Sequence, residues 1–360
     1  MNGENQDPAV KEPSKQTNST HNFCVAMMKN GTASKMEGNP ESFLETIKES
    51  DFAWVNIQVK DINEESAKIA AMFGFSPSLL SEILNQRFSG YEDFTTELAL
   101  LLPSVHVSDL EVQVNKLIVL MKGNIIITIH DANVTRFFKF ARYAVTFFKK
   151  VPKNLDDIDK ISLVLIRILD ENNERNFDGI RSIEEQGELI SKYLVEKTFP
   201  RDQLGADIYK MKHALITYLE TLWATLDVIH YLRYGDAEMI TDDTAILQKV
   251  GILSTDLTGQ ISISEQMSSV LASGLEVLQS IYNNELTILN NRLSLLAVWM
   301  AILGTAFIVP NTIATVFGTA IGDHLEWHTM LIILIISTIV SMFFVYWFVK
   351  KRNILPPKVE

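Results

Sequence analysis

A stripe of small and polar side chains lies in a segment near the C-terminus that carries no charged residue from Leu293 to Gly322. At the three-and-four spacing of one helix face, the stripe consists of Ser294, Ala297 or Val298, Ala301, Gly304, Ile308, Asn311, Thr315 and Gly318. Oxygens arranged in this way could line a path for ions, but small residues also let helices pack closely. Two helices cannot enclose a pore, so the first interpretation requires several copies of the chain. The spacing alone leaves both interpretations open.

Two predicted membrane spans would position this stripe. A helix needs about 20 apolar residues to cross the hydrocarbon layer, and both Leu295–Phe317 and Thr329–Val349 meet that length. The short connection between them makes the pair a helical hairpin. Lys350, Lys351 and Arg352 follow the second span, whereas the connection carries no Lys or Arg. The positive-inside rule therefore predicts a multi-pass protein of the cell membrane with both termini in the cytoplasm.

The connecting loop contains side chains that could meet a cation. Asp323 and Glu326 could concentrate cations near the mouth of a path, or they could simply belong to a solvated turn. His324 and His328 could add soft ligands for zinc or a similar metal, or they could be hydrated at the membrane interface. The sequence does not choose between these alternatives.

The residues before the spans predict an α/β domain followed by long helices. Strands are predicted at Asp51–Val59, Glu97–Pro103, Val112–Met121 and Asn124–His130. Helices are predicted at Glu64–Phe73, from Ser76-Pro77 to about Asn85, and from Asn133 to about Lys150. Met1–Ser42 is polar and shows neither an apolar core segment nor a signal peptide. The last helix has no strong breaker between Ser262 and Pro310, so we expect it to run from the cytoplasm into the bilayer.

These patterns divide the chain into seven segments. The predicted organisation is a disordered cytoplasmic tail (1–42), a cytoplasmic α/β domain (43–155), a helical stalk (156–292), a first, pore-lining transmembrane helix (293–319), an extracellular loop (320–328), a second transmembrane helix (329–349) and a basic cytoplasmic tail (350–360).

Composition excludes several classes of protein. A net charge of −12 argues against nucleic-acid binding. The single cysteine, Cys24, excludes an intrachain disulfide and a cysteine-based zinc site. The chain contains no Walker motif, nucleophile elbow or His-Glu-x-x-His motif, so we do not expect an enzyme.

In several segments the chain resembles the CorA family of divalent-cation channels, over roughly residues 50–355. The resemblance rests on Trp54-Val55-Asn56-Ile57, Phe73-Gly74-Phe75-Ser76-Pro77, Leu80-Ser81-Glu82-Ile83-Leu84-Asn85, Asn291-Arg292, Pro310-Asn311-Thr312, Phe317-Gly318, Glu326 and Lys350-Lys351-Arg352. The family signature Gly-Met-Asn reads Gly318-Thr319-Ala320 here, and Ser294 stands where the family has an Asn three residues beyond Asn291.

The resemblance implies an α+β membrane protein whose stalk helices continue into the first of two C-terminal transmembrane helices, assembled as a funnel-shaped homopentamer. It implies magnesium influx, with Gly318, Thr319, Ala320, Asp323 and Glu326 at the mouth. It also implies gating by divalent ions that bridge subunits, for which Glu82 and Asp256 are the candidate ligands. The changed signature leaves zinc, cobalt, nickel or weakly selective cation transport open, and also a non-conducting membrane-anchored sensor or scaffold.

Overall fold

The computed structural model of the protein describes residues 22–195, 200–234, 237–320 and 327–351. The chain divides between Gly274 and Leu275 into an N-terminal and a C-terminal compact unit. In chain order the elements are β1 Phe23–Met28, β2 Ala33–Glu37, a 3-10 turn Pro40–Ser42, α1 Phe43–Glu49, β3 Ser50–Gln58, α2 Ile62–Met72, α3 Pro77–Leu84, β4 Gly90–Asp93, β5 Glu97–Ser108, β6 Glu111–Lys122, β7 Ile125–His130, α4 Phe137–Lys150, α5 Asp157–Glu174, α6 Asn176–Val195, α7 Arg201–Arg233, α8 Thr244–Ala320 and α9 Trp327–Lys351.

Within the described ranges, seven strands form one mixed sheet in the order β2-β1-β3-β7-β6-β5-β4. Strands β3 and β7 run parallel, with Asn56 opposite Thr128, and the other neighbouring pairs are antiparallel. The β6–β7 connection turns at Gly123, whose φ of 54° favours glycine. Both central strands are buried on both faces, which explains why their sequences are nearly continuous apolar runs.

Helices cover both faces of this sheet. On one face, α1, α2 and α3 contribute Phe43, Ala70 and Leu80 to a core shared with the strands. On the other face, Trp54 is fully buried and stacks on Phe140 of α4 at a centroid distance of 4.8 Å. Helix α5 contacts β3 and β7, while α6 and α7 contact β5.

The structure confirms the predicted strands and helices between Asp51 and Lys150, with shifts of a few residues at most ends. Strand β5 continues to Ser108, well past the predicted end at Pro103. Proline is tolerated there because the strand lies next to the short edge strand β4, which ends its pairing at Leu101. Helix α8 has no break between Ser262 and Pro310, as predicted.

The prediction of a disordered tail over residues 1–42 is wrong for residues 22–42. Strand β1 lies in the sheet between β2 and β3, and its residues Phe23–Met27 are at most 6% exposed. The sequence Phe-Cys-Val-Ala-Met-Met is apolar throughout because both faces of the strand are covered. The described residues contain seven strands, where the sequence predicted three or four; β1, β2 and β4 were missed.

Candidate ion pathway and regulatory acids

Two helices are long and apolar enough to cross a membrane. They are α8, in its C-terminal part, and α9. Their large apolar side chains are exposed, including Phe307 at 73% and Phe343 at 69%. An apolar surface of this extent needs an apolar surrounding, and a helix can enter one because it satisfies its own backbone hydrogen bonds.

One line of α8 is covered within the C-terminal unit. Buried or half-buried positions recur at Leu295, Val298, Ile302, Thr305, Val309 and Ile313. Ile302 is only 2% exposed, although its neighbours Ala301 and Leu303 are exposed. Among the residues described for this unit, α9 is the only other helix that could cover this line from within the chain.

The polar stripe lies on a different face of α8. Its members Ser294, Ala297, Ala301, Ile308, Asn311 and Thr315 are all exposed. Gly304 is half-buried, but a Cβ built on it would have no atom within 4 Å. At about 100° per residue, the stripe is centred about 120° from the line that contains Ile302. Close packing therefore explains the stripe only if the partner helix comes from another chain.

Hydroxyl groups along this part of α8 donate to carbonyl groups one turn earlier. Thr305 Oγ1 donates to the Ala301 carbonyl at 2.9 Å, Thr312 Oγ1 to Ile308 at 2.9 Å and Thr315 Oγ1 to Asn311 at 2.7 Å. Each hydroxyl proton is thus satisfied inside the helix. The hydroxyl oxygens keep lone pairs that can accept from a hydrated ion.

The predicted mouth lies mostly outside the described residues. Asp323, His324 and Glu326 fall in the undescribed stretch 321–326. Gly318, Thr319 and Ala320 form the last turn of α8, and the structure describes only their backbone. His328 is exposed in the first turn of α9, with its ring centroid 3.6 Å from that of Trp327.

Glu82 lies on α3, and an ion pair between the buried Glu97 and the partly exposed Lys122 fixes the start of that helix. Ser76 occupies the predicted N-cap position, but its hydroxyl makes no capping bond. Instead its amide donates to Glu97 Oε2 at 2.8 Å, and Lys122 Nζ lies 2.7 Å from Glu97 Oε1. Burial works to raise the pKa of Glu97, but Lys122 and the Ser76 amide outweigh it and lower the pKa.

Glu82 lies beside another carboxylate, Glu92 on strand β4. Burial first, and then the charge of Glu82 and a hydrogen bond with it, raise the pKa of Glu92. Glu92 was missed from the sequence because β4 is only four residues long and carries no recognisable pattern. Two carboxylates this close can bind a hard cation, which would relieve their repulsion.

Asp256 lies on α8 next to a different acid, Asp170 of α5. Burial is the largest cause that raises the pKa of Asp170, and Asp256 adds to it, while Arg167 opposes it. In the described part of the chain, no group of three or more His, Cys, Asp or Glu side chains could hold a metal ion. A site that combines Glu82 with Asp256 therefore stays a prediction about two neighbouring subunits.

With this geometry in view, residues 49–351 match the family model described as "CorA-like Mg2+ transporter protein". The chain belongs to the CorA family. CorA proteins are homo-oligomeric, membrane-embedded transporters of divalent cations. A comparison with curated protein sequences finds no match.

Solved structures show the same CorA-like fold. The complete CorA magnesium transporter from Methanocaldococcus jannaschii matches with a TM-score of 0.69 at 15% identity, covering 93% of this chain and 98% of that one. The full-length CmaX protein matches with a TM-score of 0.61 at 16% identity, covering 94% of this chain and 100% of that one. The cytoplasmic domain of ZntB from Vibrio parahaemolyticus matches with a TM-score of 0.55 at 10% identity, covering 73% and 98%.

The chain therefore has the fold of a CorA-family divalent-cation transporter, with an α/β domain, a long helix and two C-terminal membrane helices. At these identities the structural matches establish the fold alone. The ion, the number of subunits and the orientation of the termini need separate arguments.

Proposed function

We propose that the protein is a homopentameric channel that passes divalent cations, magnesium foremost, into the cytoplasm down the membrane potential. The observation that supports this most directly is the exposed stripe from Ser294 to Thr315 on α8, which faces away from the helix face covered within the chain. A pathway on the symmetry axis of an oligomer would use this face.

Each polar position of the stripe would become a ring of side chains around the axis. Magnesium gives up its water reluctantly and is usually bound through it. Rings of Asn311 amides and Thr315 hydroxyls can accept hydrogen bonds from those waters. Rings of Ile308 and Ala301 have no such acceptor and would form a constriction that dewets when closed.

With Gly318-Thr319-Ala320 in place of Gly-Met-Asn, the mouth would be less polar than in family members that carry the signature. Gly318 would offer a carbonyl and Thr319 a hydroxyl, whereas Ala320 has no side-chain acceptor. The charges of Asp323 and Glu326 would then raise the local cation concentration, an effect that salt screens. In this arrangement both termini are cytoplasmic, because Lys350, Lys351 and Arg352 end the second span.

Flux into liposomes tests the proposed pathway. Asn311→Leu and Thr315→Leu should each lower magnesium uptake by about tenfold or more, since each replaces a ring of acceptors by apolar groups. Thr338→Leu is the matched control and should leave uptake unchanged. It makes the same change in α9, where the Thr338 hydroxyl donates to the Leu334 carbonyl at 2.7 Å. Wild-type flux in both stripe variants, with each variant still assembled, would refute a pathway along this face.

The same vesicles decide between the ions. Uptake of Mg²⁺, Zn²⁺ and Na⁺ is compared at one fixed potential, with Co²⁺ and Ni²⁺ as further arms. The exposed His328 near the mouth favours zinc as the second candidate, since imidazole is a good zinc ligand. If the wild type prefers zinc and His328→Gln loses that preference, the transported ion is zinc rather than magnesium. Absence of uptake for every cation would favour a non-conducting sensor.

Regulation by bound magnesium is the second part of the proposal. Glu82 would bind a cation together with an acid of the neighbouring subunit, for which Asp256 is the candidate. Glu82→Gln should leave flux less inhibited by magnesium on the cytoplasmic side, because one ligand has lost its charge. Glu45→Gln, a carboxylate on α1 in the same unit, is the matched control. Equal inhibition in wild type and Glu82→Gln would count against this site.

A further inference from the structure

A polar cavity opens in the N-terminal unit, away from the acids discussed above. Its volume is about 150 Å³, several times what one water molecule needs. Three parts of the fold form its walls: the β5–β6 hairpin, the segment that leads into α4 and the junction of α5 with α6. The lining includes Ser104, Asn115, Thr135, Arg136, Arg175 and Asp178.

Arg136 is a buried cation on this lining. It is 4% exposed, and its guanidinium donates to the carbonyl oxygens of Asn172 and Val105 and, at 2.8 Å, to Asn176 Oδ1. All three acceptors are neutral. No carboxylate forms an ion pair with Arg136 in the described ranges of the chain. Burial of an arginine without a counter-charge is costly.

A second arginine increases the positive charge at the cavity. Arg175 is exposed on the lining and repels Arg136. Burial lowers the pKa of Arg136 to about 10, and the charge of Arg175 adds to this, while Tyr218 and Asp178 oppose it. Arg175 likewise has no ion-pair partner among the residues that the structure describes. Asp178 is the one carboxylate on the lining and Glu171 interacts with Arg175 from outside it, so the cavity wall keeps a net positive charge.

We propose that this cavity binds a small oxyanion of the phosphate class between Arg136 and Arg175. The planar fork of a guanidinium matches the spacing of phosphate or carboxylate oxygens, and such bonds are about twice as strong as neutral ones. The Ser104 and Thr135 hydroxyls and the Asn115 amide supply further donors on the same wall. The anion would neutralise the buried Arg136 and connect the three segments that form the cavity.

Thermal unfolding of the full-length purified protein tests this site without reference to transport. Inorganic phosphate should raise the unfolding temperature in a saturable way, whereas chloride at the same ionic strength should not. A parallel titration with ATP, without divalent cations, separates a free ion from a phosphoryl group on a larger molecule. If phosphate alone stabilises the protein, the ligand is the free ion. If phosphate and ATP both stabilise it, the site recognises a phosphoryl group, whether free or on a larger molecule.

Three exposed variants separate a built site from general charge effects. Arg175→Gln should weaken apparent phosphate affinity about tenfold, and Asp178→Asn should strengthen it. Arg181→Gln removes the same charge from α6 but outside the cavity, where Arg181 pairs with Glu185 at 3.3 Å, and should change nothing. The proposal is overturned if chloride stabilises as well as phosphate, if no saturation occurs, or if Arg175→Gln and Arg181→Gln behave alike.

Discussion

In the N-terminal unit Trp54 is completely buried between Phe23, Phe137 and Phe140, whereas in the C-terminal unit Trp347 of α9 is 45% exposed. The same difference holds for whole elements. Strands β3 and β7 are covered on both faces by the chain's own helices, while α9 has no fully buried residue. The sheet core of the N-terminal unit is covered by the chain's own helices, although Trp223 on α7 is 52% exposed. The C-terminal unit leaves most of its apolar surface to lipid and to other copies of the chain.

Polar groups differ between the units in the same way. In the sheet, Trp54 Nε1 donates to Thr128 Oγ1 at 3.0 Å, and Thr128 Oγ1 donates to Asn56 Oδ1 at 2.8 Å. His130 Nε2 lies 3.1 Å from the same Asn56 oxygen. This buried network closes on itself, as buried polar groups must. The Asn311 side chain, by contrast, is exposed in a segment apolar enough to span a membrane, so no described part of the chain covers it.

The largest difference in stability should appear when one tryptophan in each unit is replaced by alanine. Trp54→Ala removes a fully buried ring and leaves the Thr128 hydroxyl without its donor, at a cost of about 3–5 kcal/mol in unfolding free energy. Trp347→Ala should cost less than about 1 kcal/mol. Guanidinium unfolding in detergent, followed by circular dichroism, measures both. Similar midpoints for the two variants would contradict the contrast between the units.

The parts predicted from sequence are those with a strong local signal. The two spans stand out because each is an uncharged apolar run long enough to cross a bilayer, and the stripe stands out by its helical spacing within the first of them. Strand β1 was missed because Phe23–Met28 is a short apolar run without alternation, which periodicity cannot assign. The surroundings of Arg136 could not be predicted at all, since its partners come from β5, α5 and α6.

The regulatory acids show the same limit. Glu82 could be named because it lies in a segment that resembles the CorA family, but Glu92 faces it only after α3 has packed against β4 and β5. When two acids on different elements face each other, the residue spacing within each element does not show it. The sequence therefore predicted one carboxylate of the pair and missed the other.

A smaller effect should appear when the buried polar network is titrated. Burial lowers the pKa of His130, and a hydrogen bond and charge from Asp131 only partly oppose this. A lowered pKa in the folded state means that His130 contributes stability above its ordinary pKa of about 6.5, and that this contribution is lost as the pH falls below it. Thermal unfolding from pH 7.5 to 5 should show the loss.

Two variants isolate His130 in that titration. His130→Gln should flatten the pH dependence between 7.5 and 5, at the expense of lower stability at neutral pH. His106→Gln, at an exposed position in β5, should keep the wild-type slope. If His130→Gln retains the full slope, another group is responsible for the acid sensitivity.

The smallest effect concerns Glu92, a polar group of the N-terminal unit that, like those exposed on α8 in the C-terminal unit, could take a partner from outside the chain. Its pKa is raised by burial and by Glu82, so the charged pair opposes folding at neutral pH and the opposition fades as the pH falls toward protonation. Both side chains are largely solvated, so Glu92→Gln should stabilise by only a few tenths of a kcal/mol.

If the pair binds a cation, millimolar Mg²⁺ should stabilise the wild type but neither Glu92→Gln nor Glu82→Gln. Unfolding temperatures with and without Mg²⁺ measure this, and equal magnesium stabilisation in all three proteins would show that the bound ion lies elsewhere.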